Sequence, residues 1–239
     1  SDTYEDDGFP YAVELTRFIE KRDDEFFSQK EKSTIVRVVR IPTTLAAMLD
    51  AAFAEVALIN GREVKDAFRL PAKPAAVLID PDFLKTVLDG VWRGGFAEAV
   101  RLAAVSDSAL MKRLSKRAEA IRSRDETAAR ETIDECLAAR MKKGGTTFAL
   151  WLATRLESMS GYKLPHGYAV AIGLCIDLGY SAEKGFLKDD VRAEIVRLLG
   201  DCGALDGLSH SSHLLGQADS LLLGLDAWRL SSADATVPV

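Results

Sequence analysis

The feature that most constrains this chain is a train of helical periods running from about residue 90 to about residue 200. "VWRGGFAEAVRLAAV", "SALMKRLSKRAEAIRS", "DETAARETIDECLAARMKK", "TTFALWLATRLESMS", "HGYAVAIGLCIDLGYSAE" and "KDDVRAEIVRLLGDCG" follow one another. Each places apolar side chains near i, i+3, i+4 and i+7, with glycine or polar breaks between stretches. Stripes of that kind have nowhere to go but against each other, which predicts a helical body. Only 7 prolines occur in 239 residues, so little interrupts it. A chain this long buries a sizeable core without covalent staples.

Strand signals are confined to the front. "STIVRVVRIP" alternates β-branched and charged residues and predicts a strand closed by Pro42. "TTLAAMLDAAFAEVALI" predicts a helix of small residues, "NGREVKDAFRLPAKP" a loop, and "AAVLID" a second strand. "PDFLKTVL" then predicts a short helix capped by Asp80 or Asp82. Ahead of these, "YAVELTRFIEKRDDEFFSQKEK" spaces its apolar residues at roughly a helical period. The expected fold class is mainly α: a multi-helical domain with a small β element near the N-terminus and no complete Rossmann-type domain. Three segments are expected: an acidic, helical 1–32, the main domain over 33–205, and an extension over 206–239 whose tail, "SSADATVPV", is partly disordered.

Bulk chemistry removes whole classes of function. A formal net charge of −5 and a pI near 5.4 provide no basic field for nucleic acid. No apolar run approaches the roughly 20 residues that cross a bilayer, and the acidic start "SDTYEDDGFPYAVEL" is unlike a secretion signal. Cys136, Cys175 and Cys202 have no paired spacing and suit a reducing compartment. A cytoplasmic protein is expected.

Three stretches in order resemble the 3-dehydroquinate synthase-like sugar phosphate cyclases: "VVRIPTTLAAMLDAA", "AVLIDPDFLKTVLDGVWRGGFAEAVRLAAVSD" and "LWLATRLESMSGYKLPHGYAVAIG". The resemblance spans about residues 33 to 205. It implies a nucleotide-binding α/β domain joined to a helical domain, with the site in the cleft between them. It further implies NAD for a transient oxidation and a divalent metal such as zinc to polarise a phosphorylated sugar substrate.

The resemblance also names residues to inspect. The glutamate of a "GxAExxK" helix is a metal ligand in the family, and "GFAEAVR" supplies Glu98 while putting Arg101 at the lysine position. "HGYAV" keeps a second ligand as His166 but replaces the neighbouring acid by Tyr168. The third ligand opens an "HxxxHxxE" helix; counting back through Glu157, its two histidine positions hold Leu150 and Thr154. A catalytic metal needs about three protein ligands and an open position, and a leucine offers no lone pair. Glu98 and His166 are therefore expected to be remnant ligands, without metal, unless His210 or His213 of "LSHSSHLLG", expected in a surface loop, swings in. Taken alone, a histidine at a helix start is an exposed or satisfied residue, and Glu98 with Arg101 is an intrahelical ion pair.

Anion-handling positions are thinned in the same way. Asp50 is kept, but the glycine-rich turn after it is replaced by "AEVAL", with Val56 at the position of a lysine. Lys65 matches a later lysine, and a shortened "RMKKGGTTF" offers Lys142 and Lys143. Asp50, Lys65, Arg101 and Lys143 are thus the expected substrate or anion contacts. Only about 40 residues precede "IPTT", with Gly8 their one glycine, so no dinucleotide turn is expected there. The functional expectation is a degenerate relative without cofactor, working as a scaffold, either as a homodimer or beside a complete cyclase. The alternative is a metal-independent lyase or isomerase acting on a small phosphorylated or carboxylated molecule, with His166 as acid or base, or a cyclase-related enzyme completed by a partner subunit that supplies NAD and the missing ligands across an interface.

Overall fold

The structure is a computed structural model that describes residues 38–59, 68–106 and 108–231. The expectations for 1–32, for the first residues of the "STIVRVVRIP" strand, for Lys65 and for the tail from 232 lie outside the described residues. The order is β1 (Val39–Arg40), α1 (Leu45–Leu49), a 3-10 turn (Ala51–Phe53), β2 (Val56–Ile59), β3 (Phe68–Pro71), β4 (Ala76–Val77) and a second 3-10 turn (Pro81–Thr86). Seven helices follow: α2 (Asp89–Ser106), α3 (Ser108–Arg122), α4 (Glu126–Lys143), α5 (Leu150–Met159), α6 (His166–Glu183), α7 (Asp189–Asp201) and α8 (Leu208–Leu215). The last described element is α9 (Ala218–Ser231). The mainly α class with small strands is what the periodicity predicted.

β1 and β4 form a two-stranded parallel ribbon, while β2 and β3 form an antiparallel one with Val56 opposite Pro71 and Ile59 opposite Phe68. Neither closes into a larger sheet among the described residues. Arg40 holds the front together from within. Its buried guanidinium donates to the carbonyls of Ala51, Ala52, Ala54 and Ala72, fastening the first 3-10 turn and the residue that follows β3 to β1.

Helix starts and stops follow local chemistry. Asp125 accepts from Ala128 N–H at 2.7 Å and opens α4; Gly144, at φ 86°, closes it. Asp80, not Asp82, caps its turn by accepting from Asp82 N–H at 2.9 Å. Three expectations are corrected. The run 43–59 is not one helix: α1 ends at Leu49 because the Asp50 carboxylate is drawn away by two arginines, and Val56–Ile59, with branched residues at both ends, pairs as a strand. Part of the expected 60–74 loop, Phe68–Pro71, is its partner strand. "LSHSSHLLG" is likewise helix α8 and not a loop. Its serine hydroxyls bond back to carbonyls three and four residues earlier, as Ser211 does to Gly207, while Leu214 enters the core.

α2 lies at the centre, packed by α1, α3, α4, α6 and α7. Its diglycine explains how. A Cβ at Gly95 would lie 2.9 Å from Leu45 Cβ in α1, and one at Gly167 of α6 would lie 2.2 Å from the Gly94 carbonyl. Backbones approach this closely only without side chains between them. The crossing sets the N-terminus of α6 beside the turn of α2 that carries Glu98. Trp92 anchors the far side, donating to Ile121 O at 2.7 Å with Phe96 edge-on and Arg124 over its ring.

Candidate functional site

Glu98 and Arg101 lie one turn beyond the α2–α6 crossing and are among the most deeply buried charges in the protein, 1 % and 2 % exposed. Arg101 Nε donates to Glu98 Oε2 at 2.7 Å, and Nη2 lies 2.6 Å from the same oxygen and 2.9 Å from Asp50 Oδ2. Nη1 donates to the Thr146 carbonyl in the turn before α5. One guanidinium therefore joins α2, the end of α1 and the 144–149 turn. Arg140, on α4, donates to the other Asp50 oxygen at 2.6 Å and to Leu49 O at 3.1 Å, with its plane over Phe53.

His166 closes the other side. Its Nδ1 is 2.6 Å from Glu157 Oε1 of α5, and its Nε2 is 3.2 Å from Glu98 Oε1. The result is one continuous network: Glu157, His166, Glu98, Arg101, Asp50, Arg140. Three carboxylates face two guanidiniums and an imidazole. Burial pushes the Glu98 carboxyl up, but the charge of Arg101 and the His166 contact outweigh it and bring it down to about 2. Arg101 is held charged above its ordinary range because Glu98 and Asp50 outweigh the cost of its burial.

Four residues expected from sequence meet here: Asp50, Glu98, Arg101 and His166. Lys143 does not join them. It lies exposed at the end of α4, where a cation suits the last carbonyls, and Arg140 one turn earlier reaches Asp50 in its place. Lys65 is outside the described residues. Sequence reasoning missed Arg140 and Glu157. The first carries no motif, and the second served only as a register mark for Leu150 and Thr154. His213 is exposed on α8.

Does a metal fit? Glu98 has one oxygen on Arg101 and the other on His166, and both imidazole nitrogens face carboxylates. Leu150, at the first residue of α5, brings no donor. Among the described residues no group of three His, Cys, Asp or Glu side chains is arranged to hold an ion. A guanidinium already supplies the positive charge between Glu98 and Asp50, and a divalent cation would meet its repulsion. The residues present do not fit the metal that the resemblance implies. Nor do the described residues offer a dinucleotide cradle: β1 runs into α1 through "IPTT", and β4 into its 3-10 turn through "LIDP", neither containing glycine.

Comparison with known proteins sets this geometry in a lineage. Residues 33–93 match the 3-dehydroquinate synthase N-terminal family and residues 148–212 the 3-dehydroquinate synthase C-terminal family. The chain belongs to the 3-dehydroquinate synthase-like family. A 3-dehydroquinate synthase of Pyrobaculum islandicum is 29 % identical over 199 residues, covering 78 % of this chain and 57 % of the relative. That of Pyrobaculum aerophilum is 30 % identical, covering 69 % and 50 %. The chain thus spans little more than half the length of the relatives it matches. Among solved structures, 2-epi-5-epi-valiolone synthase from Streptomyces hygroscopicus, with NAD+ and Zn2+ bound, aligns at TM-score 0.61 and 25 % identity over 73 % of this chain and 57 % of its own. A 2-deoxy-scyllo-inosose synthase shares the fold at TM-score 0.64 and 16 % identity, covering 72 % of this chain and 50 % of its own. No helix among the described residues is long and apolar enough to cross a membrane.

Proposed function

We propose that this chain is a catalytically silent member of the family that acts in the cytoplasm by binding: as a homodimer, or as a subunit beside a complete cyclase. The observation that carries this reading is the closure of Glu98 and His166 onto Arg101 and Glu157 in a site whose third ligand position is Leu150. Every donor that would serve a metal is spent inside the protein. By itself the chain binds neither NAD nor a divalent metal.

Binding is supported by the β1–β4 ribbon. β1 turns Arg40 inward, so Val39 and Ile41 face outward, 51 % and 46 % exposed, and Leu78 just beyond β4 is 56 % exposed. Parallel strands are ordinarily covered on both faces. A ribbon with this apolar outer face is suited to a protein partner.

Two measurements test the proposal. Assayed alone with NAD, zinc and phosphorylated sugar substrates, the chain is expected to show no turnover. By native mass it is expected to be dimeric alone, or to form a heteromer when mixed with a complete family member. Cyclisation by the chain alone would overturn the reading, and so would a strict monomer that ignores the complete enzyme.

One observation favours a second reading. His166 retains 28 % of its side-chain surface while Glu157 fixes its Nδ1. An oriented, reachable imidazole is what a metal-independent lyase or isomerase acting on a phosphorylated or carboxylated small molecule requires, with Asp50 and Arg101 close by. Such activity shows an inflection in its pH–rate profile that His166→Ala removes. A flat thermal-shift response to the whole substrate class excludes it.

A further inference from the structure

α6 is apolar almost all round: between His166 and Glu183 its one charged residue is the buried Asp177. α2, α5 and α7 take up its inner side, and a helix of this composition is ordinarily enclosed. Its last three turns are not. Cys175, Ile176, Gly179, Tyr180, Ala182 and Glu183 share one outward face, on which Ile176 is 39 % and Tyr180 49 % exposed. Gly179 stands near the middle with nothing within 4 Å of its Cβ position, so the centre is flat. Phe186, in the turn that leaves the helix, is 73 % exposed. These three side chains present roughly 400 Å² of apolar surface, most of the non-polar share of an ordinary interface of about 800 Å² per partner. The charges at the two ends of the face are opposite. Glu183 ends α6, where the helix dipole opposes an acid and no basic residue lies in the last turn. Lys184, one residue on, lies over the Tyr180 ring at the edge of the face. Arg192 of α7 marks the other end: burial raises the Cys175 thiol to about 11, and the charge of nearby Arg192 acts against it. Its partner on α7, Asp189, is largely exposed, and a surface pair of that kind is weak.

We infer that this face binds a second copy of the chain, α6 crossing α6 antiparallel about a two-fold axis at Gly179. The inference rests on the binding role proposed above, and names the partner and the surface. Charge sets the direction. Glu183 comes four residues after Gly179 and Cys175 four residues before it, with Arg192 alongside. In the antiparallel crossing each Glu183 lies over Cys175 of the other copy, within reach of that copy's Arg192, and the symmetry makes the ion pair twice. A parallel crossing would set acid against acid. The same axis places Ile176, three residues before Gly179, over Ala182 of the other copy, three residues after it, so large meets small. Both Tyr180 rings meet beside the axis. At the ordinary helix separation of about 8–10 Å, position 179 admits a methyl group but not a ring.

Sedimentation of the full chain and of charge-swapped variants tests the inference. The wild-type chain is expected to be a dimer at micromolar concentration. Glu183→Arg and Arg192→Glu are each expected to weaken the dimer about tenfold or more, and the two together to restore it to within about threefold. A strict monomer overturns the inference, as does a dimer that neither single change weakens or that the double change fails to restore. Should the charge variants not fold, cross-linking decides. Helices that cross at residue 179 bring its two Cα atoms within the span of about 4.4–6.8 Å that a disulfide bridges. In a Cys175→Ser background, mild oxidation is expected to link the copies through Gly179→Cys but not through Met141→Cys, which is 86 % exposed at the end of α4. Linkage through both or through neither refutes the crossing. A monomer that still binds a complete family member removes this face and leaves the binding role standing. Turnover of a phosphorylated sugar by a dimer joined at residue 179 does the reverse.

Discussion

Glu98 is held between an imidazole and a guanidinium, and that position determines how the protein responds to acid. Its carboxyl lies at about 2 in the folded chain against an ordinary 4.5, because Arg101 and His166 together outweigh its burial. A depressed folded value means stability that is fully present above about pH 4.5 and lost as pH falls towards 2. Urea midpoints measured across that window should fall in the wild-type protein, and the fall should be shallower in Glu98→Gln. Arg101 is the keystone. Arg101→Met leaves the buried Glu98 with His166 alone and Asp50 with Arg140 alone, an expected loss of about 3–5 kcal/mol in chemical denaturation. Arg101→Lys keeps the charge but not a fork that reaches three acceptors, and should fall between. Glu98, Arg101, Asp50 and His166 were legible in the sequence because family motifs flank them. Arg140 and Glu157 were not: each joins through a contact 90 or 9 residues away that no local spacing records.

Among the elements, α6 organises the site, and its glycines separate close approach from mere helix propensity. Gly167→Ala drives a Cβ to 2.2 Å from the Gly94 backbone, so α2 and α6 must separate. An overpacked crossing of rigid backbones costs about 3 kcal/mol or more, and the variant is expected to lose its cooperative thermal transition or shift it far down. Gly179, in the same helix, has nothing within 4 Å of its Cβ position. Gly179→Ala should raise stability by about 0.5–1 kcal/mol. If both variants behave alike, the crossing is not as tight as described. The extent of α4 and α6 was readable from the apolar periods of "DETAARETIDECLAARMKK" and "HGYAVAIGLCIDLGYSAE". The break at Asp50 was not, since a run of alanine and leucine gives no warning that two arginines will pull one carboxylate out of the helical path. α8 was hidden for the opposite reason: serines signal a loop until their hydroxyls find the carbonyls one turn back.

On the scale of the molecule, the family's helical body is built around an internal salt network that runs from Glu157 to Arg140. Arg101 is the cation that joins Glu98 to Asp50 within it. On the function proposed above the body does not depend on a metal: chelators should leave its melting temperature unchanged, whereas a fold that depends on its ion loses stability with it. The measurement that tests this most directly is calorimetric titration of zinc into the chelator-treated protein, with His166→Ala as control. The account predicts no stoichiometric binding in the wild-type protein and the same trace in the variant. One tightly bound zinc per chain, lost in His166→Ala, would contradict it.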